Sequence, residues 1–204
     1  GQLSINILGI ENYIDWQNEN LDSNTEKILL KFPAGERIMA LIQVGRAEEA
    51  ESEMIKLNNI IYKPLAISSL NIANKFNFSY TQLKIANKLK YLNVSVPLKY
   101  YYPSPKWIPN SGYIIDKALI FAFIHKESNF NRSAKSRKGA IGLMQIMPST
   151  ARFISKNKKI RKGNTSILKD PLINIEMGQN YIKYLLNLDI VNNNVIYMAA
   201  AYNA

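Results

Sequence analysis

Apolar residues recur every three or four positions from residue 33 onward, which is the period of an amphipathic helix. The pattern predicts four helices, at 37–44, 46–58, 64–76 and 79–92. Gly45 is expected to end the first of them as its C-terminal cap. Ser79, with Gln82 three residues later, forms a capping-box pattern at the start of the fourth. Two successive helix hairpins favour a solenoid-like fragment, with a plain helical bundle as the alternative.

The chain changes character on either side of these helices. Residues 1 to about 30 are polar and rich in asparagine, and they predict irregular structure leading into a helix. Four prolines break the chain between residues 97 and 109, where Tyr100, Tyr101, Tyr102 and Trp107 are expected to pin the segment to a surface. We therefore place a domain border here, with a helical region at 1–102 and a second domain at 103–204.

The second half is again helical, but its loops contain more glycine and polar residues. Helices are predicted at 114–127, at 171–187 and from about 194 to the end. Asp170 followed by Pro171 is a typical helix start, because a capping side chain precedes a proline at the first helical position. Residues 136–146 allow a short hairpin, but no alternating strand is evident. The fold class is therefore mostly α.

The amino-acid composition excludes several kinds of catalytic chemistry but says less about the fold. The chain has no cysteine and a single histidine, His125, which excludes thiolate catalysis, cysteine zinc sites and multi-histidine metal sites. Catalysis must rest on carboxylates, hydroxyls or amides, and neither a metal nor another cofactor is implied. No apolar run approaches the roughly 18–20 residues of a membrane span. The net charge of +11 favours an anionic partner or surface, such as nucleic acid, lipid headgroups or the acidic peptides of a bacterial wall.

Glu127 is unusual for a glutamate on a predicted helix. Ile120, Phe123 and Ile124 precede it by seven, four and three residues, so it lies on the apolar face. It also lies at the helix end, where the helix dipole disfavours a carboxylate. Both effects raise the pKa of a glutamic acid, as a glycosidase requires of its general acid. The next turn-rich stretch, with Ser136 and Gln145, could fold back over this helix end and read sugar hydroxyls and N-acetyl groups.

Four motifs carry a family resemblance. They are Glu127-Ser128-Asn129-Phe130, Ala134-Lys135-Ser136 with Gly139-Ala140-Ile141-Gly142-Leu143-Met144-Gln145-Ile146-Met147-Pro148-Ser149-Thr150-Ala151, Asp170-Pro171-x-x-Asn174-Ile175-x-x-Gly178-x-x-Tyr181, and Ala201-Tyr202-Asn203-Ala204. In this order and spacing they closely resemble the catalytic segment of the soluble lytic murein transglycosylases, over about residues 110–204. The resemblance implies a lysozyme-like domain preceded by part of that family's helical linker.

The resemblance also implies a reaction that needs one carboxylate. Glu127 would protonate the bond between N-acetylmuramic acid and N-acetylglucosamine, and the muramoyl N-acetyl group would stabilise the cation. The same glutamate, now a base, would take the proton of the sugar's own C6 hydroxyl, which closes a 1,6-anhydro ring. The other acids of this half, Asp116, Asp170, Glu176 and Asp189, are expected to serve as helix starts, caps or solvated groups.

Further residue roles follow from the resemblance. Ser136 would contact the reacting sugar or steady the glutamate, and Tyr202 would form a hydrogen bond near it. Gln145 and the backbone around Met144 and Met147 would bind sugar. Asn203 would hold the fold around the tyrosine, whereas His125, on another side of its helix, would be structural. The family continues beyond this terminal motif, so we expect the domain to be incomplete and its activity reduced.

Three alternatives remain open. A goose-type lysozyme would share the fold and the glutamate but hydrolyse with water. A wall-binding module would dock to peptidoglycan without cleaving it. A nucleic-acid-binding protein would use basic clusters such as residues 156–162, but a solvated loop attracted to the wall accounts for that run equally well. We expect a monomeric protein of the periplasm or cell envelope that binds peptidoglycan strands and no nucleic acid.

Overall fold

The computed structural model describes residues 25–59, 62–155, 160 and 163–204, and it divides the chain into two compact units. The units are Gly1–Pro103 and Ser104–Ala204. The expected border between residues 102 and 103 stands one position away from this division. The predictions for residues 1–24 and for the basic run 156–162 (Ile160 excepted) lie outside the described residues.

The first unit is built of helices, as its apolar period predicts. They are α1 (Thr25–Leu29), α2 (Pro33–Gln43), α3 (Ala47–Leu57), α4 (Lys63–Lys75) and α5 (Ser79–Tyr91), followed by a 3₁₀ turn at Leu98–Tyr101. Helices α2 and α3 form one hairpin, α4 and α5 form another, and α1 packs against α4. The mostly helical fold is confirmed, with helix ends shifted by up to four residues. The apolar faces meet in one core, which includes Leu29, Ile38, Met54, Leu70, Ile85 and Leu89.

Backbone hydrogen bonds close the ends of these helices. Gly45 has φ 75°, its amide donates to Ile42 O, and the amide of Arg46 donates to Leu41 O over 2.8 Å. This is the Schellman arrangement, and it confirms the glycine cap. Asn77 and Asn93 adopt the same left-handed conformation after α4 and α5. Asparagine tolerates this conformation better than other non-glycine residues, so it replaces glycine at both turns.

The capping box predicted at Ser79 is wrong. The N-terminal cap of α5 is Phe78, and Ser79 is already inside the helix. The side chain of Gln82 does not turn back to the helix start. Its Nε2 donates to the carbonyl of Tyr100 over 3.2 Å, because the 3₁₀ turn places that carbonyl within reach. The carbonyl of Tyr100 has thus taken the place of the predicted partner at the helix start.

The second unit surrounds one central helix. It contains α6 (Lys117–Ser128), α7 (Pro148–Ile154), a 3₁₀ turn at Ser166–Lys169, α8 (Pro171–Leu186) and α9 (Val195–Asn203). Helix α8 packs against α6, α7, α9 and the 3₁₀ turn. The core of the second unit includes the buried residues Ile120, Ile124, Leu143, Met144, Leu168, Ile175, Ile182 and Met198. Within the described part of the chain, no helix is long and apolar enough to cross a membrane.

Side chains cap the starts of α6, α8 and α9 in this unit, whereas α7 has no side-chain cap. The Asp170 carboxylate accepts the amides of Leu172 and Ile173, which confirms the predicted cap, and Asp116 starts α6 in the same way through Leu119. Helix α7, with Pro148 at its start, was not predicted. The hairpin allowed at 136–146 is reduced to two isolated antiparallel bridges, Lys135 with Ile141 and Ile141 with Ile146.

Candidate active site

Glu127 lies in the last turn of α6, as its sequence position predicts. Ile120 and Ile124 on the same face are fully buried, and the Glu127 side chain is itself half-buried. Burial raises the pKa of the Glu127 carboxyl, and the neighbouring Lys126 charge opposes this only in part. Among the described residues it accepts no hydrogen bond and forms no ion pair. An ionised Glu127 is therefore poorly stabilised, and the carboxyl favours its protonated form.

The chain leaves α6 through two consecutive left-handed residues. Asn129 has φ 50° and Phe130 has φ 66°, which is unusual for a bulky side chain. The Phe130 ring is held by three neighbours, with centroid distances of 6.4 Å to Trp107, 6.1 Å to Phe121 and 6.0 Å to His125. This aromatic packing offsets the strain and fixes the helix end next to Glu127. His125 thus contributes a ring contact to the turn.

Tyr202, on α9, is the predicted site residue that the structure brings close to Glu127. Its ring centroid is 4.7 Å from that of Phe123 and 5.3 Å from that of Tyr181, and its hydroxyl donates to Met144 O over 2.7 Å. Burial raises the pKa of the Tyr202 phenol strongly, and the nearby charges of Glu127 and Tyr181 raise it further. Because Phe123 lies one helical turn before Glu127 on α6, its ring contact places Tyr202 against the end of α6 that carries the carboxyl.

Met144, around whose backbone sugar binding is expected, is itself enclosed by protein. The residue has no exposed surface. Its amide donates to Asn174 Oδ1 over 2.7 Å, and its carbonyl accepts the Tyr202 hydroxyl. Its thioether lies against Gly178, where an added Cβ would stand 2.1 Å from Sδ. Both backbone polar groups therefore already have protein partners.

Gln145 also differs from its expected role. The residue is left-handed, with φ 46°, and its side-chain nitrogen donates to Gly142 O over 2.8 Å and to Ala134 O over 3.3 Å. The amide hydrogens that seemed suited to sugar instead brace the loop. The side-chain carbonyl of Gln145 has no partner among the described residues, so it can accept a hydrogen bond from a ligand hydroxyl.

The other expected site residues occupy the loop and the ends of two helices. Ser136 Oγ accepts the amide of Ala140 over 3.0 Å and forms no hydrogen bond with Glu127. Met147 is half-buried at the start of α7. Asn203 Nδ2 donates to Ala199 O, one turn back in the helix that carries Tyr202.

Asn174 is the residue whose role the sequence left unassigned. It is fully buried on α8, and its Nδ2 donates to Ile141 O over 2.9 Å and to Leu168 O over 2.8 Å. Together with the Met144 amide it makes three hydrogen bonds to three backbone positions. The signal was present in the motif, as an asparagine on the apolar face of a helix, but two of its three partners, Met144 and Ile141, lie 30 and 33 residues away.

No second carboxylate accompanies Glu127 in the described part of the chain. Asp116 and Asp170 cap helices, Asp189 is exposed, and both carboxylate oxygens of Glu176 accept the Ser111 hydroxyl over 2.8 Å. Over the same residues, no group of three acidic or histidine side chains could hold a metal ion. The arrangement therefore supports acid–base chemistry by one carboxyl group.

A cavity of about 750 Å³ lies against another face of α8, away from this carboxyl. Asn180, Lys183 and Tyr184 line it, together with Phe153 of α7. None of the expected site residues lines it. The candidate acid is thus defined by its helix end and its neighbours rather than by this cavity.

Comparison with known proteins agrees with the motifs. Residues 109–204 match the family model described as "Transglycosylase SLT domain". A soluble lytic murein transglycosylase of Escherichia coli is 32% identical over 198 residues, which cover 94% of this chain and 29% of that protein. A membrane-bound lytic murein transglycosylase E of Buchnera aphidicola is 36% identical over 113 residues, or 54% of this chain and 47% of that protein. The chain thus spans less than a third of the Escherichia coli relative.

Solved structures extend the likeness to both units. The 70 kDa soluble lytic transglycosylase of Escherichia coli superposes with a TM-score of 0.71 at 26% identity, over 99% of this chain and 32% of that one. A 70 kDa soluble lytic transglycosylase in complex with bulgecin A gives a TM-score of 0.71 at 27% identity, over 99% of this chain and 32% of that one. A lytic transglycosylase of Pseudomonas aeruginosa, 22% identical with a TM-score of 0.73, shares the fold. The lysozyme-like fold of the second unit and the helical hairpins of the first are thereby confirmed.

Proposed function

We propose, from the match of residues 109–204 to the transglycosylase SLT domain model, that the protein is a lytic transglycosylase of peptidoglycan. It cleaves the β-1,4 bond between N-acetylmuramic acid and N-acetylglucosamine and leaves 1,6-anhydro ends. The observation that carries the proposal is a single half-buried carboxyl, Glu127, whose pKa is raised by burial and which has no second acid beside it.

In the first step Glu127 acts as the general acid. Its proton passes to the glycosidic oxygen as the bond from that oxygen to C1 of the muramoyl sugar breaks, and N-acetylglucosamine leaves with a free hydroxyl. The sugar's own N-acetyl group stabilises the positive charge at C1. Burial of Glu127 serves this step because it raises the pKa of the carboxyl, so the group holds its proton more tightly than an exposed glutamic acid does.

In the second step the Glu127 carboxylate acts as the base. It takes the proton from the C6 hydroxyl of the muramoyl sugar, and O6 bonds to C1 to close the anhydro ring. The glutamic acid is regenerated and no water is consumed. Most glycosidases need a second carboxylate to activate water or to attack C1. This cycle needs none, which fits the helix-capping and surface positions of the other acids.

The loop and α9 supply contacts to the substrate. The free carbonyl of Gln145 accepts a sugar hydroxyl, and the hydroxyl proton of Ser136 donates to the sugar while its oxygen keeps the Ala140 amide. The half-buried Met147 offers an apolar surface to the sugar ring. Tyr202 borders Glu127 and limits how the substrate approaches it. We place this activity in the periplasm or cell envelope, where peptidoglycan is found.

The test is mass spectrometry of muropeptides released from purified sacculi. The wild-type chain is compared with Glu127→Gln and with Asp189→Asn, which makes the same chemical change at an exposed acid. We expect anhydro products from the wild type and from Asp189→Asn. Activity of Glu127→Gln should fall by roughly 10²–10⁴-fold, the usual contribution of a general acid.

Other outcomes would change the assignment. Products heavier by one water would indicate a lysozyme, and full activity of Glu127→Gln would remove that residue from the mechanism. Binding to sacculi without cleavage by the wild type would indicate a docking module. Binding of bulgecin A, the ligand in the complex of the 70 kDa soluble lytic transglycosylase, would then show whether the sugar site is formed.

A further inference from the structure

Asn174, on α8, binds the loop that follows α6, residues 129–147. We propose that Asn174 is a positioning residue for the reaction, which fixes the peptide unit of Met144 and thereby the position of Tyr202 at the end of α6 that carries Glu127. This inference rests on the proposed function for its catalytic consequence. Its structural part rests only on the contacts of Asn174, Met144 and Tyr202, which we call the Met144 clamp.

The clamp holds Met144 from both sides. Asn174 Oδ1 accepts its amide and Tyr202 Oη donates to its carbonyl, each over 2.7 Å. The other end of the Asn174 amide donates to Ile141 O and Leu168 O, so the side chain cannot rotate without losing three hydrogen bonds at once. The three hydrogen bonds of Asn174 are buried, so each of them that is lost leaves a polar group without water to replace its partner.

The clamp also fixes the direction of the Tyr202 proton. A phenol has one proton to donate, and Tyr202 gives it to the Met144 carbonyl. Towards any other neighbour the Tyr202 oxygen can act only as an acceptor. A neighbouring carboxyl that must keep its proton gains from an acceptor and not from a donor. By setting where the Met144 carbonyl points, Asn174 determines what Tyr202 presents to Glu127.

The surroundings of Asn174 are shaped to fit it. Gly142 has φ 80°, and a Cβ there would stand 2.3 Å from Asn174 Nδ2. Gly178, one turn further along α8, leaves the space that the Met144 side chain fills. Gly142 thus leaves room for Asn174, and Gly178 leaves room for Met144. A general packing role would not require the side-chain amide, because a leucine has nearly the same size and shape.

The experiment compares Asn174→Leu with a matched control on the same helix. Gln179 is also fully buried: it donates to Gly112 O, Ser111 Oγ and, over 3.5 Å, Glu176 Oε2, and it accepts the amide of Ile114. Gln179→Met removes them without touching the clamp. Both variants should lose comparable stability, and kinetics are measured where circular dichroism shows both to be folded. The substrate is a soluble, uncrosslinked peptidoglycan strand.

We expect Asn174→Leu to lower kcat by roughly 10- to 100-fold, as displacement of a catalytic group by about 1 Å does. KM should stay within about twofold, because the sugar contacts remain. Gln179→Met should stay within about twofold of the wild-type kcat. Asn174→Asp keeps an acceptor for the Met144 amide, so it should retain more turnover than Asn174→Leu. An equal fall of kcat in Asn174→Leu and Gln179→Met would overturn the inference.

A second measurement does not depend on activity. The ¹³C signal of the Tyr202 ring carbon bonded to the hydroxyl, identified by its loss in Tyr202→Phe, reports the hydrogen bond of that hydroxyl. It should move in Asn174→Leu and stay in place in Gln179→Met. A wild-type chain without lytic activity would contradict the proposed function, while this signal would still decide the clamp. A Tyr202 signal unchanged in Asn174→Leu would overturn it.

Discussion

The helical hairpins of the first unit and the loop that follows Glu127 in the second are stabilised by different interactions. The hairpins bury an apolar core, and backbone hydrogen bonds at Gly45, Asn77 and Asn93 close their helix ends. The loop, residues 129–147, packs some apolar residues but depends on two side-chain amides, those of Gln145 and Asn174, at its turns. It also contains left-handed residues that are not glycine.

Because of this difference, the hairpins should tolerate substitutions that the loop does not. Apolar contacts are many and non-directional, so a core loses stability gradually when one side chain is shortened. A buried hydrogen bond has one geometry, and losing a partner leaves a polar group unpaired. Strained residues persist only where the surroundings hold them. The buried hydrogen bonds and strained residues of the loop therefore fix its geometry next to the helix end that carries Glu127, whereas the hairpins need only to stay helical.

The largest effect that would sharpen this comparison is expected from Gly142→Ala. The new Cβ would stand 2.4 Å from Leu168 O and 2.3 Å from Asn174 Nδ2, at a φ that alanine rarely adopts. We expect a loss of about 4 kcal/mol or more in the free energy of unfolding. Gly139→Ala is the control, because its φ is also positive but nothing lies within 4 Å of the added atom; it should cost about 1–2 kcal/mol.

Hydrogen exchange followed by mass spectrometry checks this prediction. Protection should fall across residues 131–147 and the start of α8 in Gly142→Ala, and much less in Gly139→Ala. Equal losses in the two variants would mean that backbone strain alone, and not the contact with Asn174, sets the cost.

The next effect tests the first unit. Met54 is fully buried in its core, and Met54→Ala should lower the free energy of unfolding by about 3 kcal/mol, as removal of a core side chain does. Exchange protection should fall in α2 to α5, while the cleavage of peptidoglycan per folded molecule should not change. A parallel loss of specific activity would contradict the separation of framework and site.

The smallest effect concerns the charge of Glu127. Because burial raises its pKa in the folded chain, the folded state holds this proton more tightly than the unfolded state does. The contribution to stability is therefore full below the ordinary pKa of about 4.3 and is lost as pH rises through the raised pKa. Glu127→Gln should thus raise the Tm at neutral pH, and the gain should shrink towards pH of about 4. Thermal unfolding at several pH values measures the gap, and a gap independent of pH would show that Glu127 carries no burial penalty.

The sequence by itself determined the features that depend on near neighbours. The period of apolar residues located helices in both units, and Gly45 and Asp170 marked helix ends. Glu127 was identified by the apolar residues three, four and seven positions before it. These features are local because a helix and its caps are decided by residues three to five positions apart. The motifs added the resemblance on which the expected chemistry rests.

Only the tertiary structure decided which partners the polar side chains take. Gln82 binds a distant turn instead of its own helix start, Gln145 gives its amide hydrogens to the loop, and Met144 is enclosed by Asn174 and Tyr202. The strained turn at Phe130 is likewise held by rings from other positions. Each of these side chains had more than one possible partner in the sequence. The choice followed the carbonyls and amides that remained unpaired once the helices had packed, because a buried polar group must find a partner.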